Sequence, residues 1–398
     1  MKKMFSDPAY FFKTAKLLFQ PPKLLFFFSA CTLLFFTASF AANSSKKKKD
    51  ADLILESANS NENTYTNGEF VSILRGNVVF SYEETRIKAD EATWWRSQGI
   101  LQFRNNIVVT NKSQRLTCDR MNFTKNNSLL TASGRFKYID TLEQAQLTGN
   151  DAEYYLDEKR FFLKGNPRLI RYDTASAETL TIIGKTMTYT DSIKQATVSD
   201  NVKITKGKMV STCNRANYFT ESNIAYLRDK PEVVYDRSNV SGDSINLYFG
   251  KESLKKAAVY GKAKGIYIDT MPKSTDTSYT HINGDSLIIT ISDSGSVDSL
   301  WTFGKAHSEY YMAKDRQTKN EADGKAMIMS FGAHGAVSNV SVAGNARSRY
   351  FIEEKDSKGI NEASGDSISV RFRNGKASQL VLKGSARGTY IPQDLTND

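Results

Sequence analysis

Three histidines, three cysteines and seven prolines are all that 398 residues contain, and each scarcity excludes something. His281, His307 and His334 fall in no zinc-ligand spacing such as H-E-x-x-H, and none lies near a cysteine. There is no G-x-S-x-G elbow and no phosphate-binding loop. The chain therefore shows no enzyme signature, no cofactor site and no metal site. Few prolines, with Tyr, Phe, Thr, Val and Ile recurring throughout, favour strands over helices. With 40% hydrophobic residues, the apolar surface is spread thinly along an elongated body.

The net charge of +11 invites a nucleic-acid reading, so its location matters. Residues 1–41 contribute +4 and the run Lys46–Lys49 with Asp50 contributes +3, which leaves +4 over the rest, both signs interspersed. No basic stripe remains to track a phosphate backbone, and nucleic acid is excluded as a partner. Lys13, Lys16 and Lys23 precede the apolar stretch Leu24–Phe36 and the small-residue pattern Ser39-Phe40-Ala41. That is the layout of an export signal over residues 1–41, cleaved after Ala41. Its rival is an uncleaved anchor, since Leu24 to Ala42 approaches the roughly 20 apolar residues that cross a bilayer. Cys31, inside the apolar run, is poorly placed for a lipoprotein signal. Residues 42–50 read as a solvated basic tether.

What is present is a repeat. Gly76-Asn77-Val78-Val79-Phe80 returns as Asn105-Asn106-Ile107-Val108-Val109 and as Gly134-Arg135-Phe136-Lys137-Tyr138. Further openings stand at Gly165-Asn166-Pro167, Asp200-Asn201-Val202, Lys230-Pro231, Gly261, Gly304, Gly344 and Gly384. A second signature follows each: Ile87-Lys88-Ala89-Asp90-Glu91-Ala92-Thr93-Trp94, then Leu116-Thr117-Cys118-Asp119-Arg120-Met121-Asn122-Phe123, with Leu147-Thr148-Gly149-Asn150, Ile282-Asn283-Gly284-Asp285 and others continuing it. A third alternating patch, such as Leu101 and Phe103, closes the unit.

Alternation at period two sends one side chain in and the next out. A small residue beside Asp or Asn suits a bulge or corner. One unit thus supplies about three short strands and two corners, and buries its apolar face only when stacked on neighbours. Cys118 and Cys213 occupy the slot that holds Ala89 elsewhere, three units apart, which is too far for a disulfide. Asp90, Asp119, Asp243, Asp285 and Asp366 follow the repeat and read as corner residues, not as a carboxylate cluster.

Gly76-Asn77-Val78 with Ile87-Lys88-Ala89-Asp90-Glu91-Ala92, repeated behind an export signal, resembles the OstA-like family. That family includes the periplasmic lipopolysaccharide transport protein LptA and the N-terminal domain of LptD. The resemblance covers residues 51–260; residues 261–398 read as looser repeats of the same type, with an insertion at 271–280. It implies an all-β, elongated β-jellyroll, open and V-shaped, through which lipid acyl chains pass in the periplasm, with energy supplied elsewhere. It implies lipopolysaccharide, through its lipid A acyl chains, as ligand. The partners it implies are other OstA-like transport proteins stacked edge to edge, and further copies of this chain.

The alternation names the groove-lining candidates. From the openings they are Val78, Phe80, Ile107, Val109, Phe136, Tyr138, Val202 and Ile204. From the second signature they are Ile87, Ala89, Ala92, Trp94, Met121, Phe123, Ala152 and Tyr154. Period two places them inside whether the interior is a filled core or a slot open to lipid. Openings after Gly261 show small, small, Tyr on that face, as in Ala263-Lys264-Gly265-Ile266-Tyr267 and Ala346-Arg347-Ser348-Arg349-Tyr350. Either the facing strands approach there or the slot is wider and more polar. The alternative to a lipid conduit is a structural or adhesive β-solenoid with a dry core.

Overall fold

The computed structural model describes residues 53–392, apart from 67, 83, 174–177, 220, 236–237, 251–253, 271–276, 313–314, 333–335, 355–356 and 374–375. The export signal, the tether and Cys31 lie outside the described residues. The described chain is almost wholly strand, joined into one antiparallel sheet.

At the N-terminal edge, β1 (Ile54–Ser57) and β2 (Ser60–Thr66) both pair with β3 (Glu69–Tyr82). There follow β4 (Thr85–Trp95), β5 (Ile100–Asn111), β6 (Gln114–Thr124), β7 (Leu129–Asp140) and β8 (Ala145–Tyr155), each paired with the next. These strands are 11 to 14 residues long. The units read from the sequence are there, but a unit in this stretch is two long strands rather than three short ones. The opening and the closing patch are one strand running through a corner.

The corners are where the openings predict. Gly76 and Asn77 have φ of 73° and 47°, Asn105 and Asn106 59° and 50°, Gly134 and Arg135 77° and 47°. The same left-handed pair recurs at 165–166, 200–201, 229–230, 261–262, 304–305, 344–345 and 384–385. Two consecutive residues at positive φ insert an irregularity that turns the strand. The pairing of β3 with β4 accordingly shifts between Arg75 and Val78. Pro167 and Pro231, which have no N–H to give a ladder, turn the corner into a break.

Hence β9 (Arg160–Lys164) and β10 (Arg168–Asp173) are separate, followed by β11 (Glu178–Ile183) and β12 (Thr186–Thr190). The long form returns in β13 (Gln195–Lys206) and β14 (Met209–Phe219), and breaks again in β15 (Ile224–Arg228), β16 (Glu232–Tyr235), β17 (Ser238–Ser241) and β18 (Ser244–Phe249). Six strands of 15 to 18 residues then carry the sheet on: β19 (Leu254–Thr270), β20 (Thr277–Ile291), β21 (Val297–Met312), β22 (Asp315–Phe331), β23 (Val337–Glu354) and β24 (Ser357–Arg373). The far edge is β25 (Lys376–Lys383) and β26 (Arg387–Pro392), both paired with β24.

Every corner falls on one line, so the sheet folds into two legs. Leg A contains 69–75, 91–95, 100–104 and their equivalents; leg B contains 78–82, 85–89, 107–111 and theirs. Where the chain breaks, the ladders stay separate: β9 pairs with β12 in leg A, while β10 pairs with β8 and β11 in leg B. Residues 260 and 261 lie within β19, so both ladders run on through the second half of the chain. With strands about 4.8 Å apart, the twenty strands of each leg span on the order of 90 Å.

Candidate functional site

The two legs share one inner face. Leu74, Ala92, Leu101 and Phe103 on leg A and Val78, Phe80, Ile87, Ala89, Ile107 and Val109 on leg B are buried in a single apolar cluster that continues along the molecule. Strand β4 shows the origin of this face: Thr85, Ile87 and Ala89 are buried while Arg86, Lys88 and Asp90 between them are exposed.

Rings meet across the angle of the V. Phe80 of leg B lies 5.5 Å from Phe103 and 6.4 Å from Trp94, both of leg A, edge to face. Phe136 of leg B lies 6.1 Å from Phe161 of leg A. Such geometry suits the ring quadrupoles.

All sixteen residues named by the alternation face this interior. Val78, Phe80, Ile87, Ala89, Ala92, Ile107, Val109, Met121, Phe136, Tyr138, Ala152, Tyr154, Val202 and Ile204 are buried in the cluster; Trp94 and Phe123 are partly buried against it. The closing patch adds neighbours as large, Phe161 and Leu163 among them. Their signal in the sequence is the same alternation, carried back across the corner.

Each corner is built by a pair. A side chain on Gly134 would run into the Asp119 carboxylate, one on Gly261 into Asp243, and one on Gly384 into Asp366. Glycine is therefore required twice over at these openings, by positive φ and by the neighbouring aspartate. Arg135 forks onto Asp119 at 2.5 to 3.1 Å and holds that carboxyl below its usual range. Asp90 accepts a hydrogen bond from Asn106 at 2.7 Å. The aspartates are thus corner residues. Cys118 and Cys213 are buried, free thiols; burial pushes them up to about 12 and about 11 respectively, as inert small core residues.

Polarity rises toward the free end of leg B. The Gln114 amide donates to Asp140 at 2.9 Å, and the Tyr138 hydroxyl donates to the same oxygen at 3.3 Å. The other Asp140 oxygen accepts from the backbone of Leu142 and Glu143. Arg171 and Lys206 hold the equivalent inward positions in β10 and β13. These polar positions carry no motif, and only their phase with Leu169 and Ile204 gives them away. The interior therefore grades from apolar at the corner to hydrogen-bonding and charged at the rim. Among the described residues no three His, Cys, Asp or Glu side chains group as metal ligands.

Comparison with known families matches residues 57–253 to the family described as "LptA/(LptD N-terminal domain) LPS transport protein". The match begins at the end of β1 and stops just before β19. No curated protein matches the chain. Among solved structures it is similar to LptH, described as the LptA homologous periplasmic component of the conserved lipopolysaccharide transport device from Pseudomonas aeruginosa. The identity is 18%, covering 36% of this chain and 82% of that one, with a TM-score of 0.19.

Proposed function

Residues 57–253 belong to the family of LptA and the LptD N-terminal domain, and from that premise we propose that this chain is a periplasmic component of lipopolysaccharide transport that holds acyl chains between its two legs. The observation that supports this best is the graded interior. A lipid has apolar chains and a charged head; the apolar face lined by Val78, Phe80, Ile107 and Met121 suits the first, and the rim at Gln114, Arg171 and Lys206 suits the second. Each methylene withdrawn from water contributes about 0.8 kcal/mol. The protein acts as a passive surface along which lipid moves, without chemistry of its own.

The edges support association with other proteins of this family, or with a second copy. Among the described residues β1 and β2 pair with β3 alone, and β25 and β26 with β24 alone. Ile54, Leu55, Tyr65, Leu380, Tyr390 and Ile391 are exposed there. Open edges with apolar side chains are templates for a further strand.

Mass spectrometry of lipids that co-purify with the full chain from its native envelope tests the reading. Lipopolysaccharide in stoichiometric amount supports it. Protein that is folded and lipid-free under the same conditions returns the dry-core structural alternative.

A further inference from the structure

The third inward position from each corner is polar along all of leg B, with Tyr82, Asp140, Arg171 and Lys206 before β16. From β16 onward tyrosine recurs there, in a lateral row with Thr and Asn. Tyr267 pairs with Thr280, Thr280 with Tyr310, and Tyr310 with Asn320; beyond them Tyr350 pairs with Asn361 and Asn361 with Tyr390. Tyr235 stands at the same level at the end of β16.

Three of these tyrosines reach leg A. The Tyr235 hydroxyl donates to the Gly295 carbonyl at 3.1 Å. The Tyr267 ring lies 5.0 Å from that of Phe331, tilted by 56°. Tyr350 stands at the same level, near enough to Ala377 for that residue's backbone to act on its hydroxyl. Gly295 is in the turn between β20 and β21, Phe331 ends β22, and Ala377 opens β25. All three lie at the end of leg A farthest from its corners, so the contacts span the open side of the V.

The residues beneath fit a closed section. Ala263, Ala306 and Ala346, the first inward residues after their corners, are each 1% exposed, and Ser308 above them is buried. Opposite stand Leu287, Leu300, Met327, Met329 and Val342 of leg A, all buried. Ala92, Ala132 and Ala152 are covered to nearly the same degree before β16, so what sets the later section apart is the reach of its tyrosines across the mouth. Tyrosine suits the closing position, since its ring fills the gap and its hydroxyl finds a backbone partner.

We propose that the row Tyr235, Tyr267 and Tyr350 is a seam that shuts the mouth of the V from β16 onward. A lipid held between the legs is confined to the stretch before β16 until the seam parts. The confinement of lipid rests on the function proposed above; the closure itself does not.

The closure is tested without lipid. In the full chain with Cys31, Cys118 and Cys213 replaced by alanine, a cysteine is placed under the seam (Leu300→Cys or Met327→Cys) and its maleimide labelling rate is measured. Labelling tracks the open population, so the Tyr235→Ala, Tyr267→Ala, Tyr350→Ala combination should label about tenfold faster. An unchanged rate overturns the seam. Should that combination fail to fold, Tyr235→Phe with Tyr350→Phe removes the two hydroxyl contacts and keeps the rings, and must still accelerate labelling. A short bis-maleimide must also join Tyr267→Cys to Phe331→Cys in an otherwise native chain; no cross-link overturns the seam.

The lipid arm places a photocrosslinking residue at Phe80 or at Met329. Capture of lipopolysaccharide from Phe80 but not Met329 supports confinement, and equal capture overturns it. Silence from both sinks the conduit and leaves the labelling experiment to decide the seam.

Discussion

The ring of Phe80 stands edge-on to that of Phe103, 5.5 Å between centroids and 88° between planes, and the two come from opposite legs of the folded sheet. Both are essentially inaccessible to solvent. Phe80→Ala should cost about 3–5 kcal/mol in chemical denaturation. A double-mutant cycle with Phe103→Leu should return a coupling of roughly 0.5–1.5 kcal/mol. Additive effects would mean that the legs do not lean on one another here.

Gly134→Ala tests the corner. The substitution meets a φ of 77° and the Asp119 side chain together. Positive φ alone costs about 1–2 kcal/mol for a residue with a Cβ. In an Asp119→Ala background the collision is relieved but the φ strain stays. Gly134→Ala should therefore lower stability in both backgrounds, and less in the second. The melting temperatures of the four chains decide it.

His307 tests the outer face of leg B by pH. Its Nδ1 lies 2.8 Å from Asp323 and its Nε2 3.5 Å from Glu309, which also binds Lys319 at 3.2 Å. Burial alone would lower its pKa, but the hydrogen bonds and charges of Asp323 and Glu309 outweigh it and raise the value above 6.5. The folded state thus binds the proton more tightly than the unfolded chain. The added stability is full below the unfolded value and is lost as pH rises through the folded one. The stability difference between the native chain and Asp323→Asn should shrink on raising the pH from about 5.5 to about 8.5. A difference independent of pH would contradict the pairing.

Much of this was legible because period two and corner chemistry are local. Val78, Phe80, Ile87 and Ala89 announce the inner face of β3 and β4, and Gly134 with Asp119 announces a corner. Strand length was not legible, because a bulge and a chain break share one signature. Gly134-Arg135 turns a strand that continues, whereas Gly165-Asn166-Pro167 ends one. The pairing of β9 with β12 past the intervening β10 and β11 follows from that break. The small, small, Tyr signature left two outcomes open, and the contact that chooses closer legs, Tyr267 with Phe331, joins residues sixty-four positions apart. The polar rim at Gln114 and Asp140 escaped because hydrophilic residues in phase with an apolar face resemble loop residues near a turn.

The central claim is that lipid acyl chains occupy the interior between the legs, and in-cell photocrosslinking reads it most directly. With a photoreactive residue at Phe80, Trp94, Phe123 or Tyr154, lipopolysaccharide should be captured from these inward positions and not from outward ones such as Lys88 or Thr117. Capture from none of the four, in a chain that is folded and exported, would contradict the account.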